Sequence, residues 1–326
     1  MDRRTAVVGM AALGPVPLTR AQAQAVRNAR VAWVTIARAD PDSPFLQGFR
    51  GRLRELGWVE GRNLRLDIWG GDGTGARMKE LVTLVVASKP DVIVATGGPT
   101  ARFFADAEVP QPVAFTSSAD VVMSGLVHTW ARPGVNRTGV SFFSLELIPK
   151  RLALMKECLP HMKQVAIVGW PPHGGEGLEL DAAKAAAARL SLQHGYYGVH
   201  NAAEVDAALE AIAQTKADAI MVFAGTVAAA HADRFAAFSL RTRIPAVSAW
   251  AAFAESGNLM SYGPVLRESF VTLAGIVDRL LNGAKAADTP VERPTRIEMV
   301  LNMKTANALG LKVPQTTLLQ ADRLIE

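Results

Sequence analysis

The chain has 326 residues, of which 49% are hydrophobic and 20% charged, a balance that suits two ordinary globular domains and excludes general disorder. Its formal net charge is +5, and the basic residues are scattered along the chain, so we expect no nucleic-acid partner. Cys158 is the single cysteine, which excludes an internal disulfide and a multi-cysteine metal site.

The N-terminus has the three parts of a cleavable secretory signal. Arg3 and Arg4 precede an apolar stretch at 6–18, and small residues spaced for cleavage near Ala23 or Ala25 follow. The apolar stretch is too short to span a bilayer. These features predict export to a periplasm, by either the general or the twin-arginine route. A frayed N-terminal helix is the alternative interpretation.

From residue 30 onward, short apolar runs alternate with longer amphipathic stretches, which predicts strands followed by helices. The first half contains, in order, strand 31–36, helix 45–56, strand 64–68, helix 78–88, strand 91–95, helix 100–107 and strand 112–115. This repeated order is typical of a parallel sheet with helices on both faces.

The same alternation begins again near residue 145. The predicted elements are helix 148–159, strand 165–168, helix 181–192, strand 196–200, helix 205–215, strand 219–223, helix 227–241 and strand 244–250. A strongly amphipathic helix from Leu266 to Leu281 then ends at Gly283, which is a common helix stop. A proline-punctuated connection leads to an alternating segment at 296–301 and a short helix at 303–309.

The pattern predicts an α/β protein of two doubly wound parallel-sheet lobes joined by a hinge that the chain crosses several times. We assign a signal peptide to 1–25, an N-terminal lobe to 27–140 plus 262–289, and a C-terminal lobe to 141–261 plus 290–326. The hinge is expected near 139–145, 259–264 and 288–296. Open α/β sheets bind ligands at the carboxyl ends of their strands, so a cleft between the lobes is the expected site.

Several motifs resemble, in their order along the chain, one family of ABC transporter substrate-binding proteins whose members bind tryptophan, tyrosine or phenylalanine. They lie at 49–64, which contains Glu55-Leu-Gly57-x-x-Glu60-Gly61, at 91–97, 118–122, 131–139 and 259–263, and in the tail 283–322. The resemblance implies a type I periplasmic-binding fold, capture of a ligand between the lobes, and delivery to a membrane permease. The chain departs from the family pattern at 97–100 and at Gly225, where an acidic residue is common, and both positions fall at the expected cleft.

The segment Gly97-Gly98-Pro99-Thr100 follows a predicted strand and opens a predicted helix. Free backbone N–H groups and the helix dipole favour an anion at such a point, and the Thr100 hydroxyl can add a hydrogen bond. A ligand carboxylate is the expected occupant. The alternative is a plain strand-to-helix turn in which Thr100 is a cap.

Polar residues follow two other strands of the same lobe. Ser117 and Ser118 are candidates for holding the carboxylate, and Asp120 either pairs with an ammonium group or caps the turn that follows it. Asp40, after the first strand, either meets a ligand amine or belongs to the start of the next helix.

In the second lobe, Trp170, Phe223, Gly225 and Trp250 stand at strand ends. Aromatic side chains there would stack on a flat ligand, although a single aromatic residue is more often part of the core. Gly71-Asp-Gly73-Thr-Gly-Ala76 fits a dinucleotide fingerprint, but it follows the second strand and no acidic residue ends the next one, so we reject that interpretation.

No arrangement of nucleophile and base indicates an enzyme, and neither a cofactor nor a metal is expected. The sequence therefore predicts the periplasmic binding component of an ABC importer, a monomer that captures an aromatic or other hydrophobic amino acid or an aryl acid. The alternative is a periplasmic sensing module that feeds a membrane signalling partner.

Overall fold

A computed structural model describes residues 28–326 except 143, 172–173, 226–227 and 229. The predicted export signal lies outside the described residues. No helix in the described part of the chain combines the length and the apolarity that a membrane crossing needs.

The first part of the chain alternates strands and helices. The elements are β1 (Ala29–Thr35), α1 (Pro44–Glu55), β2 (Leu64–Gly70), α2 (Gly75–Ala87), β3 (Val92–Thr96), α3 (Gly98–Asp106), β4 (Val113–Ser117) and β5 (Arg137–Ser141). The five strands form one sheet in the order β2-β1-β3-β4-β5, and all neighbouring pairs are parallel. Buried apolar runs such as Val92–Ala95 in β3 reflect helices on both faces of the sheet.

The second part repeats the pattern. Its elements are α4 (Ser144–Cys158), β6 (Gln164–Gly169), α5 (Glu176–Arg189), β7 (Gln193–Gly198), α6 (Ala202–Ala213), β8 (Ala219–Val222), α7 (Ala232–Thr242), β9 (Ala246–Ser248), α8 (Ala251–Glu255) and β10 (Met260–Pro264). The chain then forms α9 (Leu266–Leu281), a short 3-10 helix (Ala286–Asp288), β11 (Ile297–Asn302), α10 (Met303–Ala308), α11 (Gln315–Gln320) and β12 (Arg323–Ile325).

The second sheet has seven strands in the order β12-β11-β10-β9-β8-β6-β7. Its strands are parallel except for β10 and β11, which pair antiparallel with Met260 opposite Leu301. The predicted class, α/β with two doubly wound lobes, is therefore confirmed. The all-parallel expectation fails at this one pair, because the chain leaves the sheet after β10 and returns to it in the opposite direction as β11.

The chain passes between the two sheets three times. It leaves the first sheet after β5, leaves the second after β10 to form α9, and returns through 289–296 to β11. The return segment is tied to the first sheet, since the Glu292 N–H donates to the Gly139 carbonyl at 2.9 Å and the Ser141 N–H donates to the Glu292 carbonyl at 3.0 Å.

Helix α9 completes the core of the first lobe. It packs against α1, and its buried Phe270, Leu273 and Val277 join Trp33 and Phe49 in one hydrophobic cluster. The side chain of Trp58 also fixes the helix end, because its indole N–H donates to the Asp278 carboxylate at 2.8 Å.

The rejected dinucleotide-like motif is the start of a helix. The Thr74 hydroxyl accepts a hydrogen bond from the Arg77 N–H at 3.3 Å and caps α2. Asp72 supports this cap by accepting from the Thr74 hydroxyl at 2.7 Å. Local capping thus accounts for the motif.

Candidate functional site

Two adjoining cavities lie between the sheets, beside the carboxyl ends of β3 and β4 on one side and of β6, β8 and β9 on the other. Gly97, Phe142 and Trp250 line both cavities. Carboxyl ends of parallel strands are where open α/β sheets bind ligands. The two cavities therefore form one candidate cleft.

The larger cavity, of about 350 Å³, is walled mainly by apolar side chains, and we call it the aromatic cavity. Its large apolar residues are Phe45, Phe142, Trp250, Phe253, Leu266 and Phe270. Two hydroxyls in its wall already have partners in the protein. The Thr96 hydroxyl donates to the Val34 carbonyl at 3.0 Å, and the Thr116 hydroxyl accepts from the Gly97 N–H at 2.8 Å.

The aromatic rings of this wall hold one another in place. Phe45 stacks on Phe270 with ring centres 5.2 Å apart, and Phe142 meets Trp250 edge to face at 6.3 Å. Both geometries are favourable for aromatic pairs. Residues of both lobes thus present an apolar surface that suits a flat hydrophobic group.

The smaller cavity, of about 80 Å³, contains the ionisable group of the cleft, and we call it the Glu176 cavity. It is lined by Gly97, Gly98, Pro99, Ser118, Phe142, Val168, Gly169, Trp170, Glu176, Phe223, Ala224, Gly225 and Trp250. Helix α3 begins here at Gly98, so the positive end of its dipole lies at this cavity.

Glu176 is the first residue of α5 and is only 8% exposed. Its carboxylate accepts a hydrogen bond from the Tyr196 hydroxyl at 2.6 Å and another from the backbone N–H of Trp170. Burial raises the pKa of Glu176 above its ordinary value, and the two hydrogen bonds oppose that shift. The carboxyl group is therefore held in a fixed position at the edge of the cleft.

Gly169, the last residue of β6, makes room for this carboxyl group. A Cβ atom at position 169 would lie 1.7 Å from Oε1 of Glu176, which is far inside van der Waals contact. Glu176 can therefore hold this position only because residue 169 has no side chain.

Two buried ionisable residues, Glu179 and Arg151, lie near Glu176. Burial raises the pKa of Glu179 to about 8, with Glu176 adding to the shift and Arg151 opposing it. Arg151 is 1% exposed and donates from Nε to the Tyr262 carbonyl at 2.7 Å. Burial lowers the pKa of Arg151 to about 10. These residues connect α4 and α5 beneath the cleft.

The indole N–H of Trp250 is a second unusual polar group of the cleft, after the Glu176 carboxyl group. Its indole N–H is buried and finds no acceptor among the residues that the structure describes. Buried donors in folded proteins nearly always have a partner. A ligand that offers an acceptor in the cleft would supply one.

The cleft brings together seven of the predicted site residues from both lobes. The Glu176 cavity is lined by Gly97, Gly98, Ser118, Trp170, Phe223, Gly225 and Trp250. The indole N–H of Trp170 donates to the His200 carbonyl at 3.3 Å, which fixes one edge of that ring.

The other predicted residues lie elsewhere. Thr100 is fully buried, and its hydroxyl accepts from the Ile36 N–H at 3.1 Å. Ser117 lines a neighbouring groove along α3 with Arg102 and Met123, and this groove shares Gly98 and Pro99 with the Glu176 cavity. The Ser117 hydroxyl accepts from the Ala119 N–H at 3.2 Å.

The two aspartates of the prediction make local turns. Asp40 is exposed, and its carboxylate accepts from the Asp42 N–H at 2.9 Å just before α1. Asp120 accepts from the N–H groups of Val122 and Met123 at 2.9 and 2.8 Å. Both side chains therefore have the local turn-forming bonds that the sequence analysis gave as alternatives.

Glu176 and the aromatic residues Phe45, Phe142 and Phe270 were not among the predicted site residues. The sequence contains an indication of Glu176, because an acidic residue directly after Gly174-Gly175 is typical of a helix start. The predicted helix, however, began at residue 181. The aromatic residues gave no such signal, because Phe45 and Phe270 follow ordinary helical patterns and meet only in the folded lobe.

Two lobes of this topology with a cleft at their facing edges define a type I periplasmic-binding-protein fold. The family model described as ABC transporter substrate binding protein matches residues 31–325, and the chain belongs to this family. It is therefore a substrate-binding protein of the ABC transporter class, and the prediction that it is not an enzyme agrees with this membership.

A tyrosine-binding protein from Clostridioides difficile strain R20291 is 22% identical over 266 residues, which cover 82% of this chain and 76% of that protein. A conserved domain protein from Vibrio cholerae superposes with a TM-score of 0.86 at 26% identity, covering 91% of this chain and 100% of the other. An ABC domain from Streptococcus pneumoniae in complex with L-Trp gives a TM-score of 0.84 at 24% identity with the same coverage. A ligand-free, open substrate binding protein from Clostridium difficile gives a TM-score of 0.67 at 21% identity, covering 91% of this chain and 99% of the other.

Proposed function

We propose that this protein is the periplasmic binding component of an ABC importer and captures a small carboxylate ligand, an aromatic or other hydrophobic amino acid or an aryl acid, between its lobes. The observation that carries the proposal is the division of the cleft. A large aromatic cavity adjoins a small cavity that contains a helix N-terminus, Ser118 and Glu176. A molecule with one apolar end and one polar end matches this division.

The apolar end of the ligand belongs in the aromatic cavity. Its volume, about 350 Å³, accepts an aromatic side chain, and Phe45, Phe142 and Phe270 provide ring faces and edges for contact. Burying an apolar group of that size contributes roughly 1.5–3 kcal/mol. The carboxylate then lies by Gly98 and Ser118, near the positive end of the α3 dipole.

Ligand contacts on both lobes would stabilise a closed arrangement, which the transporter can distinguish from the open one. The three chain crossings form the hinge for this motion.

Two parts of the proposal rest on the sequence and the family. The N-terminal segment has the pattern of an export signal, which supports a periplasmic location. Family membership supports a membrane permease as partner. The family match gives no support to the alternative, a sensing module for a signalling partner.

A thermal-shift screen of the chain cleaved after the signal tests the proposal. The panel contains aromatic and aliphatic amino acids, aryl acids and sugars. A ligand at 100 times its Kd adds about 2.7 kcal/mol of stability, which raises Tm by roughly 5 °C. A shift with an aromatic amino acid or an aryl acid is expected. A shift with sugars alone contradicts the proposed ligand class.

A further inference from the structure

The polar part of the cleft is acidic. Glu176 lies there, and the described residues that line the two cavities include no Lys, Arg or His to pair with it. A ligand that carries only a carboxylate would place a second acidic group in the same poorly solvated space, where the two carboxyl groups cannot both be ionised without repulsion. Like charges repel strongly there, since the effective dielectric constant is far below that of water.

The Glu176 carboxylate has capacity for another partner. A carboxylate offers about four lone-pair positions, and the Tyr196 hydroxyl and the Trp170 N–H use two of them. A protonated amine on the ligand would use a remaining one and would neutralise the charge.

The position of this carboxylate is fixed before any ligand arrives. Its oxygens are positioned by hydrogen bonds from Tyr196 on β7 and from the Trp170 backbone. They occupy the space that a side chain at Gly169 would fill. A group held in advance loses little conformational freedom on binding, so it discriminates well between ligands.

The neighbouring groups favour an amine at the same place. Phe142 and Trp250 line both cavities, so an apolar side chain in the aromatic cavity leaves the polar end of the same molecule beside Glu176. Gly98 and Ser118 face this small space as well, and they suit the carboxylate of the same ligand.

We infer that Glu176 binds the amino group of the ligand, so that the cleft accepts molecules with a protonated amine next to an apolar side chain and rejects amine-free aryl acids. The inference rests on the proposed function and narrows it. Of the two ligand classes proposed above, it selects the amino acids, and it assigns their recognition to a residue of the second lobe.

Isothermal titration of the full chain with two matched sets of compounds tests the inference. The sets are L-tryptophan, tryptamine and indole-3-propionate, and L-phenylalanine, phenethylamine and 3-phenylpropionate. We expect the amino acid of at least one set to bind about 30-fold or more tightly than its amine-free acid, a ratio that corresponds to about 2 kcal/mol. The compound with the amine alone should bind more tightly than the acid.

The variant Glu176→Gln keeps the shape of the side chain and can still accept from Tyr196, but it removes the charge. Its preference for amino acid over amine-free acid should fall to about threefold or less. Asp181→Asn is the matched control, because it removes the same charge from an exposed carboxylate of the same helix, outside the cleft. This control should keep the preference, which shows that the loss in Glu176→Gln comes from the position of the charge and not from the net charge of the protein.

Equal binding of the amino acid and the amine-free acid by the unaltered protein would overturn the inference, and so would an unchanged preference in Glu176→Gln. The first comparison needs no substitution, so it remains decisive if the variant is unstable. Failure of all six compounds to bind would instead contradict the aromatic ligand class of the proposed function, and the inference for that class would fall with it.

Discussion

Single residues at the edge of the second lobe determine the polar part of the cleft. Glu176 occupies its place because β6 ends in a glycine, because Tyr196 on the neighbouring strand donates a hydrogen bond, and because α5 begins at this point. A helix N-terminus also stabilises a negative side chain. Substitutions that add or remove only a few atoms at these positions should therefore change ligand binding and stability strongly.

Gly169→Ala should remove ligand binding and destabilise the protein by about 1–3 kcal/mol, because the added methyl group overlaps Oε1 of Glu176. Urea unfolding and ligand titration measure the two effects. Gly177→Ala is the control: it lies in α5, and a Cβ there meets no atom within 4 Å. The control should be neutral or stabilising by about 0.5–1 kcal/mol.

Glu179 should make stability depend on pH. The pKa of its carboxyl group is about 8 in the folded protein, against an ordinary value of 4.5 in the unfolded chain. Between these values the folded state binds more protons than the unfolded state, so the free energy of unfolding falls as pH rises from about 5 to about 8. The raised pKa of Glu176 acts in the same direction.

Urea unfolding at several pH values between 5 and 8 measures this slope. Glu179→Gln should make the slope shallower, since the variant has no carboxyl group to titrate at that position. Asp181→Asn changes an exposed carboxylate of the same helix and serves as the control. A slope in Glu179→Gln that equals the one in the unaltered protein would contradict the assignment.

At the scale of elements, α9 serves both the core and the cleft. The chain enters it directly from the second sheet, yet the helix packs against α1 and the strands of the first sheet. Its Phe270 faces the aromatic cavity, while Leu273, one turn later, is fully buried in the core. A substitution at Phe270 should therefore affect both stability and ligand binding, whereas one at Leu273 should affect stability alone.

Phe270→Ala should lower stability by about 3–5 kcal/mol and weaken binding of an aromatic amino acid, because it removes both core packing and cleft wall. Leu273→Ala should cost about 2–5 kcal/mol and leave the affinity nearly unchanged at a temperature where the protein is folded. Denaturant unfolding and calorimetric titration distinguish the two variants. Equal losses of affinity would show that the cavity assignment of Phe270 is wrong.

At the scale of the whole molecule, we expect the two lobes to rotate about the three chain crossings when a ligand binds. The single natural cysteine makes it simple to attach labels that detect this motion. Cys158 is 2% exposed, and burial raises the pKa of its thiol to about 12, so it should not react with labels in the folded protein.

Cysteines introduced at exposed positions of the two lobes, Met123→Cys and Lys184→Cys, should accept a pair of fluorophores. Addition of a bound amino acid should raise energy transfer between them, because closure shortens the distance across the cleft. The single-cysteine proteins, labelled separately, control for direct effects on each dye. Transfer that stays constant at saturating ligand would contradict a closure mechanism.

The sequence by itself determined the class of the fold, because the alternation of short apolar runs and amphipathic stretches is a local property of the chain. Strands such as β3 and β8 and the helix α9 were predicted within a few residues of their observed ends. The sequence pattern did not predict β5, because Arg137-Thr-Gly-Val-Ser contains no apolar run, and it did not predict the short strand β12. These strands form because a neighbouring strand is already present to pair with them.

For the cleft, the sequence indicated residues at strand ends, such as Gly98, Trp170 and Trp250, since topology alone brings strand ends to one edge. Only the tertiary structure shows that Asp40 and Asp120 accept from backbone N–H groups of the turns that follow them, and that the Thr100 hydroxyl accepts from Ile36 on a distant segment. Hydrogen bonds of this kind depend on distances of a few tenths of an ångström, which residue order does not specify. The same holds for Glu176, whose place depends on Gly169 and Tyr196, residues brought beside it by separate strands.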